Sequence, residues 1–220
     1  MAQAKFITLA LICPALGTCL AAPAPNEAVQ SRPFEVPKAT KTGKFTPIPV
    51  SKSGVNLTFP IDLESPRSPL YVSGFACGGV AAGDLDGDGR PDLVFAGAGQ
   101  KNCLFLNRGE FRFVEQAEAA GIAGDGNWSS AVTLVDIEND GDLDVYITLY
   151  DAPNQLYLND GKARFTEAAG KFGLDLVDAS LAPAFCDYDC DGDLDLYLLT
   201  NRYYAPSGFP SPEPAELSAE

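Results

Sequence analysis

Histidine is absent from the 220 residues. That removes the usual general base and the Ser–His and Cys–His nucleophile pairs. Cations are scarce as well: 15 Lys and Arg face 30 Asp and Glu, for a formal net charge of −15. No basic stripe runs along the chain, which disfavours nucleic-acid binding. None of the six cysteines forms a CxxC pair, which argues against a redox or zinc role. A long apolar run is missing too. The amino-terminal stretch is roughly 17 residues, contains Pro14 and is not followed by basic residues, which argues against a membrane span.

What the chain does have is one acidic phrase three times. It reads Asp84-Leu-Asp86-Gly-Asp88-Gly89-Arg90-Pro-Asp92, then Asp136-Ile-Glu138-Asn-Asp140-Gly141-Asp142-Leu-Asp144, then Asp187-Tyr-Asp189-Cys-Asp191-Gly192-Asp193-Leu-Asp195. Acids fall at loop positions 1, 3, 5 and 9 and glycine at 6. Alternate carboxylates in a tight loop converge on one point, and glycine supplies the left-handed turn that brings position 9 back. Without a cation, such carboxylates repel one another. A donor set of oxygens alone favours Ca²⁺ over zinc or copper. A single acidic turn rich in Asp and Gly is also a common solvated surface feature. Three copies in one frame point to about three bound Ca²⁺ ions. Fourteen of the 30 acids lie in these loops, so metal sites account for much of the acidity.

EF-hands are excluded. Position 12 is Phe95, Ile147 or Leu198 rather than glutamate, and the residues after each loop have the pattern of a strand, not a helix. Each loop therefore joins two strands as a hairpin. A small or apolar run leads in (79–83, 131–135, 182–186). After the loop come a second strand, a third (103–106, 155–158), a turn with Asn and Gly, and a fourth (111–114, 164–167). Four antiparallel strands per ~50 residues describe one propeller blade. The third repeat stops after its second strand, near Thr200.

The acidic loops resemble FG-GAP/VCBS repeats, as in integrin-α-like calcium-binding propellers. The closing phrases Phe111-Arg-Phe113-Val-Glu-Gln-Ala117 and Arg164-Phe-Thr-Glu-Ala-Ala169, running to Gly121-Ile122 and Gly173-Leu174, are similar to the bacterial ASPIC/UnbV-associated, cartilage-acidic-protein-like group. The resemblance covers Gly74 to Tyr204. It implies Ca²⁺ ligands at Asp84, Asp86, Asp88, Arg90 (backbone) and Asp92. The second set is Asp136, Glu138, Asp140, Asp142 (backbone) and Asp144. The third is Asp187, Asp189, Asp191, Asp193 (backbone) and Asp195. Glu138 departs from the usual Asp or Asn, and its longer arm alters the second site. The fold expected is all-β: a partial β-propeller of two full blades and a half, with Ca²⁺ loops in the A–B hairpins. A ring needs at least four blades. The expectation is therefore a truncated product, a fragment, or a subunit that self-associates through open blade edges.

Residues 1–21 read as a signal peptide, with Lys5, the apolar Phe6–Leu16 and small residues before a cleavage point after Ala21. Leu16-Gly-Thr-Cys19 also resembles a lipoprotein cleavage site, although Thr18 is unusual before the cysteine. Residues 22–54 read as a Pro-rich linker, 55–204 as blades with a short strand at Val55–Phe59, and 205–220 as a disordered tail. Export to the envelope (periplasm or surface) or secretion is the expectation, and Cys77, Cys103, Cys186 and Cys190 could form two disulfides there. Trp128 reads as packing between blades rather than as a ligand platform. The favoured function is an adhesion or interaction module with structural Ca²⁺, its partner an extracellular or envelope protein or glycan. The alternative is a fragment of a Ca²⁺-dependent propeller enzyme, a lyase or hydrolase acting on polysaccharide.

Overall fold

A computed structural model describes residues 3–7, 46–60, 62, 64, 67–68, 70 and 78–200. The expectations for residues 22–45, for Cys77 and for the tail from 201 lie outside the described residues, as does most of the export signal.

The first blade is β2 (Gly79–Gly83), β3 (Asp92–Gly97), β4 (Gln100–Asn107) and β5 (Phe113–Glu115), paired antiparallel in that order. The second is β6 (Ser129–Val135), β7 (Asp144–Pro153), β8 (Gln155–Asn159) and β9 (Phe165–Glu167). The third contributes β10 (Val177–Cys186) and β11 (Asp195–Thr200). Two complete blades and the first half of another are what the repeats predict. The fourth strand of blade 1 starts later than expected. Glu110 and Phe111 take left-handed conformations (φ 51° and 60°) in the preceding turn, so the strand begins at Phe113.

Blades 2 and 3 are not separate sheets. β7 runs on past its own blade, and Tyr150–Pro153 pairs with Ala179–Val177 of β10. Ala98 and Trp128 form a shorter bridge between blades 1 and 2. Trp128, 2 % exposed, packs with Leu70, Tyr150 and Ala179, as its reading as a packing residue requires. Each closing phrase makes one helical turn, α2 (Ala117–Ala120) or α3 (Ala169–Phe172), ended by a left-handed glycine, Gly121 or Gly173. The turn returns Ile122 or Leu174 to the core, both buried.

Side-chain alternation sorts the core into layers. In β3, Val94 and Ala96 face the second blade, where they join Leu104, Leu106, Val145, Ile147 and Leu149. Tyr146 points the other way, with Leu156, Leu196 and Leu198 between blades 2 and 3. β7 is buried on both faces over Asp144–Tyr150 because its blade has another on each side. Leu104, Leu106, Leu196 and Leu198 are buried, each against the one neighbouring blade, and the outer faces carry Val80, Val114 and Tyr197.

Two further differences concern the amino-terminal arm. Val55–Phe59 pairs in no sheet. Residues 46–60 lie instead along blade 1. The turn α1 (Val50–Ser53) buries Ser53, Lys52 Nζ sits 5.8 Å over the Phe111 ring, and the Phe59 ring fills the space a Cβ on Gly97 would need. The last part of the segment read as a linker is thus a cap on the first blade. In addition β1 (Gln3–Ile7), inside the segment read as an export signal, pairs antiparallel with the outer edge of β11, Gln3 opposite Thr200. A strand edge offers unpaired N–H and C=O groups to any extended segment. Among the described residues no helix is long and apolar enough to cross a membrane.

Candidate metal centres

All three acidic loops sit where the sequence puts them, between the first two strands of a blade: β2–β3, β6–β7 and β10–β11. Their internal hydrogen bonding repeats. The position-1 carboxylate gathers the amides of the turn. Asp84 Oδ1 accepts from the N–H of Gly87 (2.9 Å) and Asp88 (3.1 Å), and Oδ2 from Gly89 (2.8 Å). Asp136 accepts from Asp140 and Gly141, both at 3.0 Å, and Asp187 from Asp191 and Gly192, both at 3.1 Å. The position-5 carboxylate accepts from the amide two residues on: Asp88 from Arg90, Asp140 from Asp142, Asp191 from Asp193. Glycine at position 6 is left-handed in every loop, φ 81°, 94° and 97°. Position 4 is left-handed too, and there the residues are Gly87, Asn139 and Cys190.

The geometry brings carboxylate oxygens together in two of the three loops. Asp84, Asp86 and Asp88 each offer an oxygen within 4.8 Å of the others, and so do Asp187, Asp189 and Asp191. In the second loop Glu138 swings out, 34 % exposed, with Lys171 Nζ at 4.0 Å. Among the described residues, Asp136, Glu138 and Asp140 do not converge in this way. Asp86 supplies the sharpest test of fit. Its Oδ2 takes Arg108 at 3.2 Å, but Oδ1 is buried with no hydrogen-bond partner. A buried carboxylate oxygen without a donor is costly unless a cation meets it. The donor set is all oxygen, which suits Ca²⁺. Arg90, expected to offer a backbone carbonyl, also turns its guanidinium onto Asp88 and donates Nε–H to the Asn107 carbonyl at 3.1 Å.

Position 9 does more than the sequence reading gave it. Asp92, 0 % exposed, accepts the Leu85 amide on Oδ2 (2.9 Å) and the Asn107 amide on Oδ1 (2.7 Å). Asp144 does the same with Ile137 (3.0 Å) and Asn159 (2.8 Å). Each ties its loop to the end of the blade's third strand. Asp195 accepts only Tyr188 (2.9 Å), because no third strand comes after β11 among the described residues. Burial, reinforced by the nearby Asp140 and Glu138, pushes the Asp144 carboxyl up to about 6 despite its two amide bonds. Asp92 shifts upward for the same reasons, with Asp86 and Asp88 as its like charges. Asp189 shifts upward through desolvation and Asp191. Carboxyls that resist ionisation beside other carboxylates fit a site that a divalent ion completes.

Asn107 and Asn159 are the residues the sequence reading missed. Both end a Leu-Asn pair after the third strand, at matching places in the two repeats. Asn159 reaches across the blade boundary: its Nδ2 donates to the Leu85 carbonyl (2.9 Å) and to Leu143 (3.1 Å), and the Ala163 amide also donates to Leu85 (2.9 Å). Leu85, 1 % exposed, is thereby locked under blade 2. Cys103, Cys186 and Cys190 are free thiols, so the pair flanking the third loop is not a local disulfide.

An acidic hairpin loop of this geometry repeated on successive antiparallel blades defines an acidic-loop propeller repeat. The FG-GAP-like repeat family matches residues 84–147 and 139–198, and the chain belongs to that family. It is also similar to cartilage acidic protein 1 of Homo sapiens, 29% identical over 133 residues, and to that of Mus musculus, 29% identical over 141 residues. The Xenopus tropicalis protein is 28% identical over 133 residues. These matches cover 59%, 62% and 59% of this chain but only 20%, 22% and 20% of the relatives. The chain thus spans about a fifth of the curated relatives' length.

Proposed function

We propose that the chain is an exported Ca²⁺-binding repeat module whose ions hold the blade hairpins in shape and whose outer surface binds an extracellular or envelope partner. The observation that supports it most is the convergence of Asp84, Asp86 and Asp88 around a buried, unpartnered Asp86 oxygen; the exposed Asp187, Asp189 and Asp191 converge in the same way. The role of calcium is structural: the position-1, position-5 and position-9 acids already organise backbone amides of their own loops. The likeness to proteins named for cartilage supports export, and the family supports interaction rather than catalysis. The second loop binds with altered geometry, Asp136, Asp140 and Asp144 serving while Glu138 reaches in from further out.

Thermal melting tests the reading. A ligand that binds only the folded state adds RT ln(1 + [L]/Kd), roughly 1.4 kcal/mol per site at tenfold Kd. Melting in millimolar Ca²⁺ is expected well above melting in chelator, with Mg²⁺ less effective because it demands a tighter octahedral shell. Equal melting temperatures in Ca²⁺ and chelator would refute it.

A further inference from the structure

Each complete blade lays its third strand along the outer edge of its second. In blade 1 β4 does so on β3, with Leu93 opposite Phe105, Val94 opposite Leu104 and Phe95 opposite Cys103. In blade 2 β8 does so on β7, with Val145 opposite Tyr157, Tyr146 opposite Leu156 and Ile147 opposite Gln155. In blade 3 that place is filled from the other end of the chain. β1 runs along β11 with Leu196 opposite Ile7, Tyr197 opposite Phe6 and Leu198 opposite Lys5. Counted from the position-9 acids Asp144 and Asp195, Leu196, Tyr197 and Leu198 match Val145, Tyr146 and Ile147. β1 therefore stands in the register of a third strand. It also has that strand's pattern. Lys5-Phe6-Ile7, Gln155-Leu156-Tyr157 and Cys103-Leu104-Phe105 each put two apolar residues after a polar one or a cysteine.

The edge itself is unguarded. Sheets usually end in strands that are short, bulged or marked by Lys or Pro. β5 and β9, which end blades 1 and 2, have three residues each. β11 has six, with no Lys, Pro or Gly among them. Its pairing with β1 runs on without a register shift, whereas its pairing with β10 contains one. A straight apolar edge accepts an extended segment through main-chain hydrogen bonds and reads it through alternate side chains. One side of that alternation is set by Leu196 and Leu198, buried towards blade 2, and the other by Tyr197, 38 % exposed.

We propose that the outer edge of β11 is a strand-docking site for a partner polypeptide, which enters as an extended antiparallel segment with a polar residue followed by two apolar ones, and that β1 fills this site until the amino-terminal segment is cut away. The proposal deepens the reading of the chain as an exported interaction module and rests on it. Gln3–Ile7 lies inside the segment read as the export signal, so cleavage after Ala21 bares the edge. The paired residues Leu196–Thr200 include no calcium ligand. The chain's net charge of −15 selects against a docking segment rich in acids.

The test uses the whole chain in saturating Ca²⁺ with a single protease site placed after Ala21, intact or nicked. The probe is a fluorescent peptide of the β8 sequence, Asn154–Asp160, which carries the third-strand pattern but is not β1. The intact chain is expected to bind it weakly, because β1 holds the edge. Nicking should release the 1–21 fragment and tighten peptide binding at least tenfold, with amide-exchange protection gained along β11. Two methylated peptides test the main chain: one with N-methyl groups at Gln155 and Tyr157, the other at Leu156 and Leu158. Only the set whose N–H groups face β11 should weaken binding, by about tenfold, as expected for two main-chain hydrogen bonds. Equal binding to intact and nicked chains, equal loss from both methylated peptides, protection gained away from β11, or a 1–21 fragment that neither leaves nor exchanges for the probe would each overturn the proposal. A nicked chain that self-associates and ignores the peptide would also overturn it, by giving the edge to a second copy. Bound calcium is counted in the same samples. A normal ion count without peptide binding rejects the docking edge alone, whereas a missing ion count rejects the reading of the loops.

Discussion

The first and third acidic loops share a sequence and a hydrogen-bond pattern, yet their surroundings differ. In the first, the position-2 residue Leu85 is 1 % exposed, its amide held by Asp92 and its carbonyl by Asn159 and Ala163 of the next blade. In the third, the matching residue is Tyr188, 78 % exposed, and Asp195 holds one amide where Asp92 holds two. Cys190 also takes a left-handed conformation (φ 62°) that Gly87 occupies without strain in the first loop. The nine residues therefore write the turn, but the following strands and blade write its rigidity. The first loop is shaped largely by its protein surroundings, and the third has fewer protein contacts to hold it.

The largest expected effect separates the two. Asp92→Ala strands two buried amides and should cost roughly 2–4 kcal/mol, whereas Asp195→Ala, with one partly exposed amide, should cost about 1 kcal/mol. Chemical denaturation in saturating Ca²⁺ reads both. Equal losses would erase the distinction between a buried and an exposed loop. Next comes the latch between blades. Asn159→Ala removes the donors to Leu85 and Leu143 and should cost about 1–2 kcal/mol, with amide exchange rising at Leu85 but not at Tyr188. Exchange rising equally at both would show that blade docking does not set loop rigidity.

A smaller effect is the pH dependence without metal. The Asp144 carboxyl sits near 6 in the folded chain against an ordinary 3.8. Between those values the folded state keeps a proton that the unfolded state has released, so stability falls as pH rises through the window. Asp92 and Asp189 shift in the same direction and add to the slope. In chelator, the melting temperature should drop from pH 4 to pH 6, less steeply in Asp144→Asn, and calcium should flatten the drop by favouring the ionised carboxylates. A rise in stability over that range in chelator would contradict the assignment.

The hairpin loops were legible because their determinants are local: alternate acids and a glycine at fixed spacing specify a turn without reference to the rest of the chain. The blade order came from the same repeat. The double duty of Asp92 and Asp144 was not legible, because the amides they hold, at Asn107 and Asn159, lie 15 residues on and signal only through a repeated Leu-Asn. Nor could alternation say which face of Leu104 or Leu196 meets a neighbour, since a strand's period gives two faces but not which one a blade covers. The capping arm was hidden for a related reason. Its contacts, Phe59 on Gly97 and Lys52 over Phe111, are long-range and lie in a Pro-rich stretch with no period of its own.

Counting bound ions tests the central claim most directly. By calorimetric titration with Ca²⁺, the wild-type chain should bind about three ions, in the weak range of extracellular modules on the order of 10⁻⁴–10⁻³ M. Asp140→Ala and Asp191→Ala should each bind one fewer, and Asp62→Ala, outside the loops, should match the wild type. The same count in all four chains, or none in any, would contradict the assignment of the loops as calcium sites.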